Sequence, residues 1–127
     1  MSRVLVVDDE EEVCHLLEKF LTKKGYEVAT AFNGYHALLK VKEWEPDVIL
    51  LDILMPGVNG MEVLSLIKEI DKEIGVIMVT AIRDAETGRK ALLMGADDYI
   101  TKPFDLEYLE TSVMAKIVTM TLHSEER

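Results

Sequence analysis

The sequence predicts an α/β fold, a doubly wound sheet of five parallel strands with helices on both faces. Three observations carry this. Five short strand-like runs are each followed by a helical pattern, three of those runs are continuously apolar, and no repeat, low-complexity stretch or linker interrupts the alternation. Continuous apolar runs suit parallel strands covered by helices on both sides. Regular βα alternation with right-handed crossovers supplies those helices.

Val4-Leu5-Val6-Val7 is the first strand and stops at Asp8-Asp9. Val13, Leu16, Leu17, Phe20 and Leu21 then repeat at helical spacing until Gly25. Tyr26 to Ala31 alternates as the second strand, and Asn33-Gly34 introduces a helix reaching about Trp44, with Ala37, Leu38 and Val41 on one face and Pro46 closing it. Val48 to Leu51 is the third strand and stops at Asp52. Pro56, Gly57 and Gly60 mark a loop before a stripe of Met61, Leu64, Ile67 and Ile70. Ile74 to Val79 is the fourth strand, stopping at Thr80. A weaker helix from about Asp84 to Met94 ends at Gly95, a residue suited to the left-handed conformation after a helix. Asp98 to Thr101 is a short fifth strand ending at Lys102-Pro103. Leu106, Leu109, Val113, Ile117 and Met120 stripe the last helix. The predicted organisation is one domain over residues 1–122 and a polar tail over 123–127.

At 127 residues with 49% hydrophobic content, the chain has apolar material for one sizeable core. Its 14 Lys+Arg against 24 Asp+Glu give a net charge of −10. Nucleic-acid and anionic membrane surfaces are bound through clustered Lys and Arg, so both are excluded as expected partners. The lone Cys14 forms no internal disulfide, no signal peptide is visible, and no apolar run approaches the ~18–20 residues of a membrane span. The expected location is cytoplasmic. Cys14 and Trp44 are read as packing residues, and His15, His36 and His123 have no ligand spacing.

In open α/β sheets, ligands bind beyond the carboxyl ends of the strands. Those ends carry Asp8-Asp9, Asp52, Thr80-Ala81 and Lys102-Pro103. Each has a plainer reading alone: a helix cap, a turn residue, a solvated lysine. Together they place three carboxylates, a hydroxyl and an ammonium on one edge. Like charges so close raise each other's pKa, and either a proton or a cation relieves them. Mg2+ is a natural cation for such carboxylates, the ammonium is a point charge for an anionic oxygen, and the hydroxyl can bond a second one. The set suits a phosphoryl group.

With these residues in place, the chain resembles the receiver domain of two-component response regulators from about Arg3 to Met120. The resemblance rests on Val6-Val7-Asp8-Asp9-Glu10, on Asp52-Ile53-Leu54-Met55-Pro56-Gly57-Val58-Asn59-Gly60, on Val79-Thr80-Ala81, and on Tyr99-Ile100-Thr101-Lys102-Pro103-Phe104. It implies a flavodoxin-like sheet of order 2-1-3-4-5 and a signalling domain that is not an enzyme beyond its own phosphotransfer and slow dephosphorylation. Asp52 would be the phosphoacceptor, served by a sensor histidine kinase, a phosphotransfer protein or a small acyl phosphate. Asp9 would ligate Mg2+ directly, Asp8 through water, with Asp52 and the Leu54 carbonyl completing the set. Lys102 would bind a phosphoryl oxygen, before a cis Pro103 peptide. Thr80 and Tyr99 would switch the face formed by the fourth helix, fifth strand and fifth helix.

Leu54 and Ile82, two residues beyond Asp52 and Thr80, offer no group to orient water, so slow autodephosphorylation is expected. The resemblance admits a phosphorylation-linked homodimer. Its charged version is disfavoured by Tyr108 and Ser112, which stand where winged-helix regulators place an acid and an arginine. A free-standing regulator and part of a longer one both remain open. Trp44 fluorescence would report Mg2+ if the ring lay near the site. Phosphatases of the haloacid dehalogenase type need an acid where this chain has Leu54, nucleotide-binding modules need a glycine-rich phosphate loop that is absent, and a receiver that has lost phosphate uptake would not be expected to keep all five site residues.

Overall fold

The strands order themselves by what each can cover. The computed structural model describes residues 1–125 and runs β1 (Arg3–Val7), α1 (Glu11–Lys23), β2 (Glu27–Ala31), α2 (Gly34–Trp44), β3 (Val48–Leu51), α3 (Gly60–Ile70), β4 (Gly75–Thr80), α4 (Ala85–Leu93), β5 (Asp98–Thr101) and α5 (Leu106–Glu125). All strands are parallel, in the order β2-β1-β3-β4-β5. β3 and β4, buried throughout, and β1, buried from Val4 to Val7, occupy the centre, and the half-buried β2 and β5 the edges.

Alternate residues of the central strands feed two cores. Val4, Val6, Val48, Leu50, Ile77 and Val79 pack with Cys14, Leu17 and Leu21 of α1 and with Leu109 and Val113 of α5. Leu5, Val7, Ile49, Leu51, Val76 and Met78 pack against α2, α3 and α4 through Ala37, Val41, Val63, Leu64, Ile67 and Ala91. Burying each of these large side chains contributes about 1.5–3 kcal/mol. The helix starts are also local. Asn33 caps α2 by accepting from the His36 N–H, and Asn59 caps α3 by accepting from Met61 and Glu62. Gly95, with φ +108°, takes the left-handed conformation expected after α4.

Three sequence expectations change. α5 continues through Glu125, so His123–Glu125 are helical instead of forming a tail, while Glu126 and Arg127 lie outside the described residues. Ile70, the last residue of α3, is 42% exposed, and Val63 joins Leu64 and Ile67 in the core. Trp44 sits at the amino end of the sheet, where Arg3 donates to its carbonyl at 2.6 Å and stacks its guanidinium 5.5 Å from the ring centroid. The five residues of β1 separate Arg3 from Asp8 by about 16 Å, so Trp44 is no reporter for the opposite edge.

One contact ties a helix to that edge. Gly60 opens α3 with its N–H donated to the Ile53 carbonyl at 2.8 Å, and a Cβ there would run into the Asp52 carbonyl oxygen and come within 2.6 Å of the Ile53 Cα. The obstacle is backbone, which cannot swing aside. Gly60→Ala is therefore expected to lower stability by about 3 kcal/mol or more, at the upper end of overpacking effects. A urea midpoint within experimental error of the unsubstituted protein would refute that.

Candidate functional site

Each site residue is aligned by the sheet before its side chain does anything. Beyond the strand ends, Asp8 donates its N–H to the Ala31 carbonyl (3.1 Å), Asp52 to Val7 (3.0 Å) and Lys102 to Thr80 (2.8 Å). The ladder thus runs one residue further than the strands and delivers an aspartate from β1, another from β3 and a lysine from β5. Thr80, the last residue of β4, is fully buried, and the Lys102–Pro103 peptide is cis.

The Lys102 ammonium binds the group together. It donates to Asp8 Oδ2 at 2.7 Å, to Asp52 Oδ2 at 3.0 Å and to Glu10 Oε1 at 3.2 Å. The two aspartates are buried, whereas the Glu10 side chain is 64% exposed. The remaining aspartate oxygens are also engaged: Asp8 Oδ1 accepts from the Glu10 N–H (2.9 Å) and Asp52 Oδ1 from the Leu54 N–H (3.2 Å). These are tight local turns, so the plainer reading of both aspartates describes one of their two oxygens.

Electrostatics follow from sharing one cation among three anions. Burial pushes the Asp8 carboxyl above its ordinary value, and the Asp52 charge adds to that. The Lys102 and Glu10 hydrogen bonds offset only part. Burial alone would pull Lys102 down, but its bonds to Asp8 and Asp52 outweigh this and hold it well above the ordinary lysine value. Both directions are consistent because the ammonium is fully neutralised while each carboxylate is not.

Asp8, Glu10 and Asp52 each offer a carboxylate oxygen, all within 4.8 Å of one another, and could hold a metal ion. Hard oxygen donors on an open edge fit a small divalent cation such as Mg2+. Asp9 is not in this group. Its side chain is exposed and lines a cleft of about 590 Å3 between Leu54-Met55-Pro56 and Thr87 and Lys90 of α4. Leu54, 57% exposed, and Ile82 line the same cleft.

Thr80 and Tyr99 are joined through one residue. The Thr80 Oγ1 accepts from the Ile82 N–H at 3.4 Å, and the Tyr99 hydroxyl donates to the Ile82 carbonyl at 2.8 Å. Tyr108 and Ser112, read from sequence as missing a charged pair, both donate hydroxyls to Asp98 Oδ2, at 3.1 and 2.7 Å. Sequence reasoning missed two contributors. Glu10 was quoted in the acidic run without a role, although as the residue preceding α1 it turns back toward the strand ends. Arg83, which donates to the Lys102 carbonyl at 2.8 Å, carried no local signal.

Comparison with known proteins agrees. Residues 4–114 match the response regulator receiver domain family. Among curated proteins, the chain is 38% identical over 125 residues to YrkP of Bacillus subtilis (strain 168), an uncharacterized transcriptional regulatory protein. The alignment covers 98% of this chain and 53% of YrkP, so the chain spans about half the length of that relative. Among solved structures, a CheY-like receiver domain protein from Methanospirillum hungatei superposes with TM-score 0.93 at 28% identity, covering 97% of this chain and 98% of the other. The beryllofluoride-activated DrrB receiver domain superposes with TM-score 0.85 at 34% identity, covering 92% and 97%. Among the described residues no helix is long and apolar enough to cross a membrane. The chain belongs to the response regulator receiver domain family, signalling domains of two-component systems and not conventional enzymes.

Proposed function

We propose that this domain accepts a phosphoryl group on Asp52 from the phosphohistidine of a partner kinase or phosphotransfer protein, or from a small acyl phosphate. One observation carries the reading: Lys102 reaches both Asp8 and Asp52, at 2.7 and 3.0 Å, on the edge where Thr80 also ends its strand. An Asp52 oxygen attacks phosphorus, forming the P–O bond as the bond from phosphorus to the donor nitrogen or acyl oxygen breaks and the donor departs with that electron pair. Lys102 stabilises charge on a phosphoryl oxygen.

Asp8, Asp9, Asp52 and the Leu54 carbonyl are the residues that would hold Mg2+, with Glu10 a further oxygen close by. When bound, the ion would offset charge on the phosphoryl oxygens. The exposed Asp9 lies on the cleft wall, the side from which a donor approaches.

Output would follow from a population shift. The phosphoryl group favours conformations in which the Thr80 hydroxyl turns to it, and the Thr80–Ile82–Tyr99 hydrogen bonds pass that preference to the face of α4, β5 and α5. A phosphorylation-linked homodimer through this face is one form of output, and the hydroxyl contacts on Asp98 leave it without the charged pair of winged-helix regulators.

Acetyl phosphate with Mg2+ should add one phosphoryl group to the intact protein, read by mass spectrometry of the whole chain. No addition over hours would sink the reading. A second measurement concerns lifetime. Leu54 and Ile82 place apolar side chains in the cleft beside Asp52, and neither can hold a water in line with phosphorus. The aspartyl phosphate is expected to last minutes or longer without a phosphatase, and decay within seconds would be inconsistent with that.

A further inference from the structure

We infer that Glu10 is a positioning residue: it occupies the third Lys102 proton in the resting site and gives it up when a phosphoryl oxygen arrives. The inference rests on Asp52 being the acceptor. An ammonium has three N–H donors and no acceptor. All three are taken here, by Asp8, Asp52 and Glu10 at 2.7, 3.0 and 3.2 Å. Lys102 therefore cannot grip an incoming phosphoryl oxygen without releasing a carboxylate.

The three are not equally releasable. The Asp8 side chain is 3% exposed, so freeing it from Lys102 leaves a buried carboxylate that bulk water barely reaches. Asp52, 5% exposed, is the group being modified. Glu10 is 64% exposed and makes the longest of the three contacts, so water replaces Lys102 there with little loss. Exchange thus takes place at Glu10: the Lys102–Glu10 bond opens, the Lys102–phosphoryl bond forms, and Asp8 keeps its partner throughout.

Glu10 is the residue preceding α1, but its side chain makes no capping hydrogen bond, so replacing it does not alter the helix start. Glu10→Ala, compared with the unsubstituted domain at saturating Mg2+ and low salt, is expected to take up phosphate from acetyl phosphate about three- to fivefold faster, the scale of one half-exposed ion contact. That gain should collapse at 1 M NaCl, where screening acts over about 3 Å. Beryllofluoride, a phosphoryl mimic, should bind the variant more tightly by a similar factor in 19F NMR. An unchanged or slower rate and unchanged beryllofluoride affinity would overturn the role of Glu10, as would a gain that persists in high salt. If the unsubstituted domain takes up no phosphate, or Asp52→Ala does, the acceptor assignment fails instead.

Discussion

Asp52→Asn and Asp52→Ala are expected to take up no phosphoryl group from acetyl phosphate and Mg2+, while the unsubstituted domain takes up one. The expectation is a complete loss, because no second carboxylate is placed to substitute. Asp8 is bound on both oxygens, by Lys102 and by the Glu10 N–H, and the Glu10 carboxylate is bonded to Lys102 and solvated. The amide of the Asn variant can still accept from the Leu54 N–H, so the loop geometry survives while the nucleophile is gone. Removing one of three clustered carboxylates also relieves Asp8, whose carboxyl is raised by burial and further by the Asp52 charge. Both variants should therefore melt no lower than the parent, which separates lost chemistry from lost folding. Labelling that survives either substitution, and that hydroxylamine releases as an acyl phosphate, would place the acceptor elsewhere.

Lys102→Ala is expected to lower stability at pH 7.5 by about 3 kcal/mol, near the lower end for breaking a buried ion pair because Glu10 opens one side to water. The loss leaves Asp8 and Asp52 buried, close together and without a cation. The sign of the pH dependence follows from Asp8. Its folded-state pKa already lies above the unfolded value, so protonation favours the fold, and that contribution grows as pH falls through the folded pKa. Without Lys102, a hydrogen bond and a charge that lower the pKa are both removed, and the rise is larger. The deficit of the variant should accordingly shrink between pH 7.5 and pH 5. Urea unfolding at the two values reads this directly, and a deficit that is constant or grows toward pH 5 would contradict it.

The parts of this fold that sequence makes plain are those where one residue type has one use. Val48 to Leu51 can only be a strand buried on both faces, and Asp52 can then only sit at its carboxyl end. Lys102 and Thr80 follow by the same logic. The choice among Asp8, Asp9 and Glu10 is different in kind. All are acids in one run, and which of them turns inward depends on the backbone path between β1 and α1, a tertiary property. Here Asp8 continues the ladder, Asp9 faces the cleft, and Glu10 swings back to Lys102. Trp44 illustrates the same limit, since apolar spacing assigns a helix face but not which end of the sheet that helix end meets. The reach of α5 to Glu125 is not legible because a polar stretch can equally be a tail or one more helical turn.

The ladder bonds that continue one residue past β1, β3 and β5 divide the molecule into frame and spring. Asp8, Asp52 and Lys102 are welded to the stiffest part of the fold, so adding a phosphoryl group cannot displace them without tearing the sheet. Whatever strain the new group introduces has to be relaxed in atoms that the frame does not hold. The nearest such atoms are the Thr80 hydroxyl and the backbone after it, where Ile82 is held by side-chain bonds to Thr80 and Tyr99 and by packing against the core. On the proposed reading, rigidity on three strand ends would direct motion to the fourth, and the direction of signalling would be a mechanical outcome of where the sheet stops.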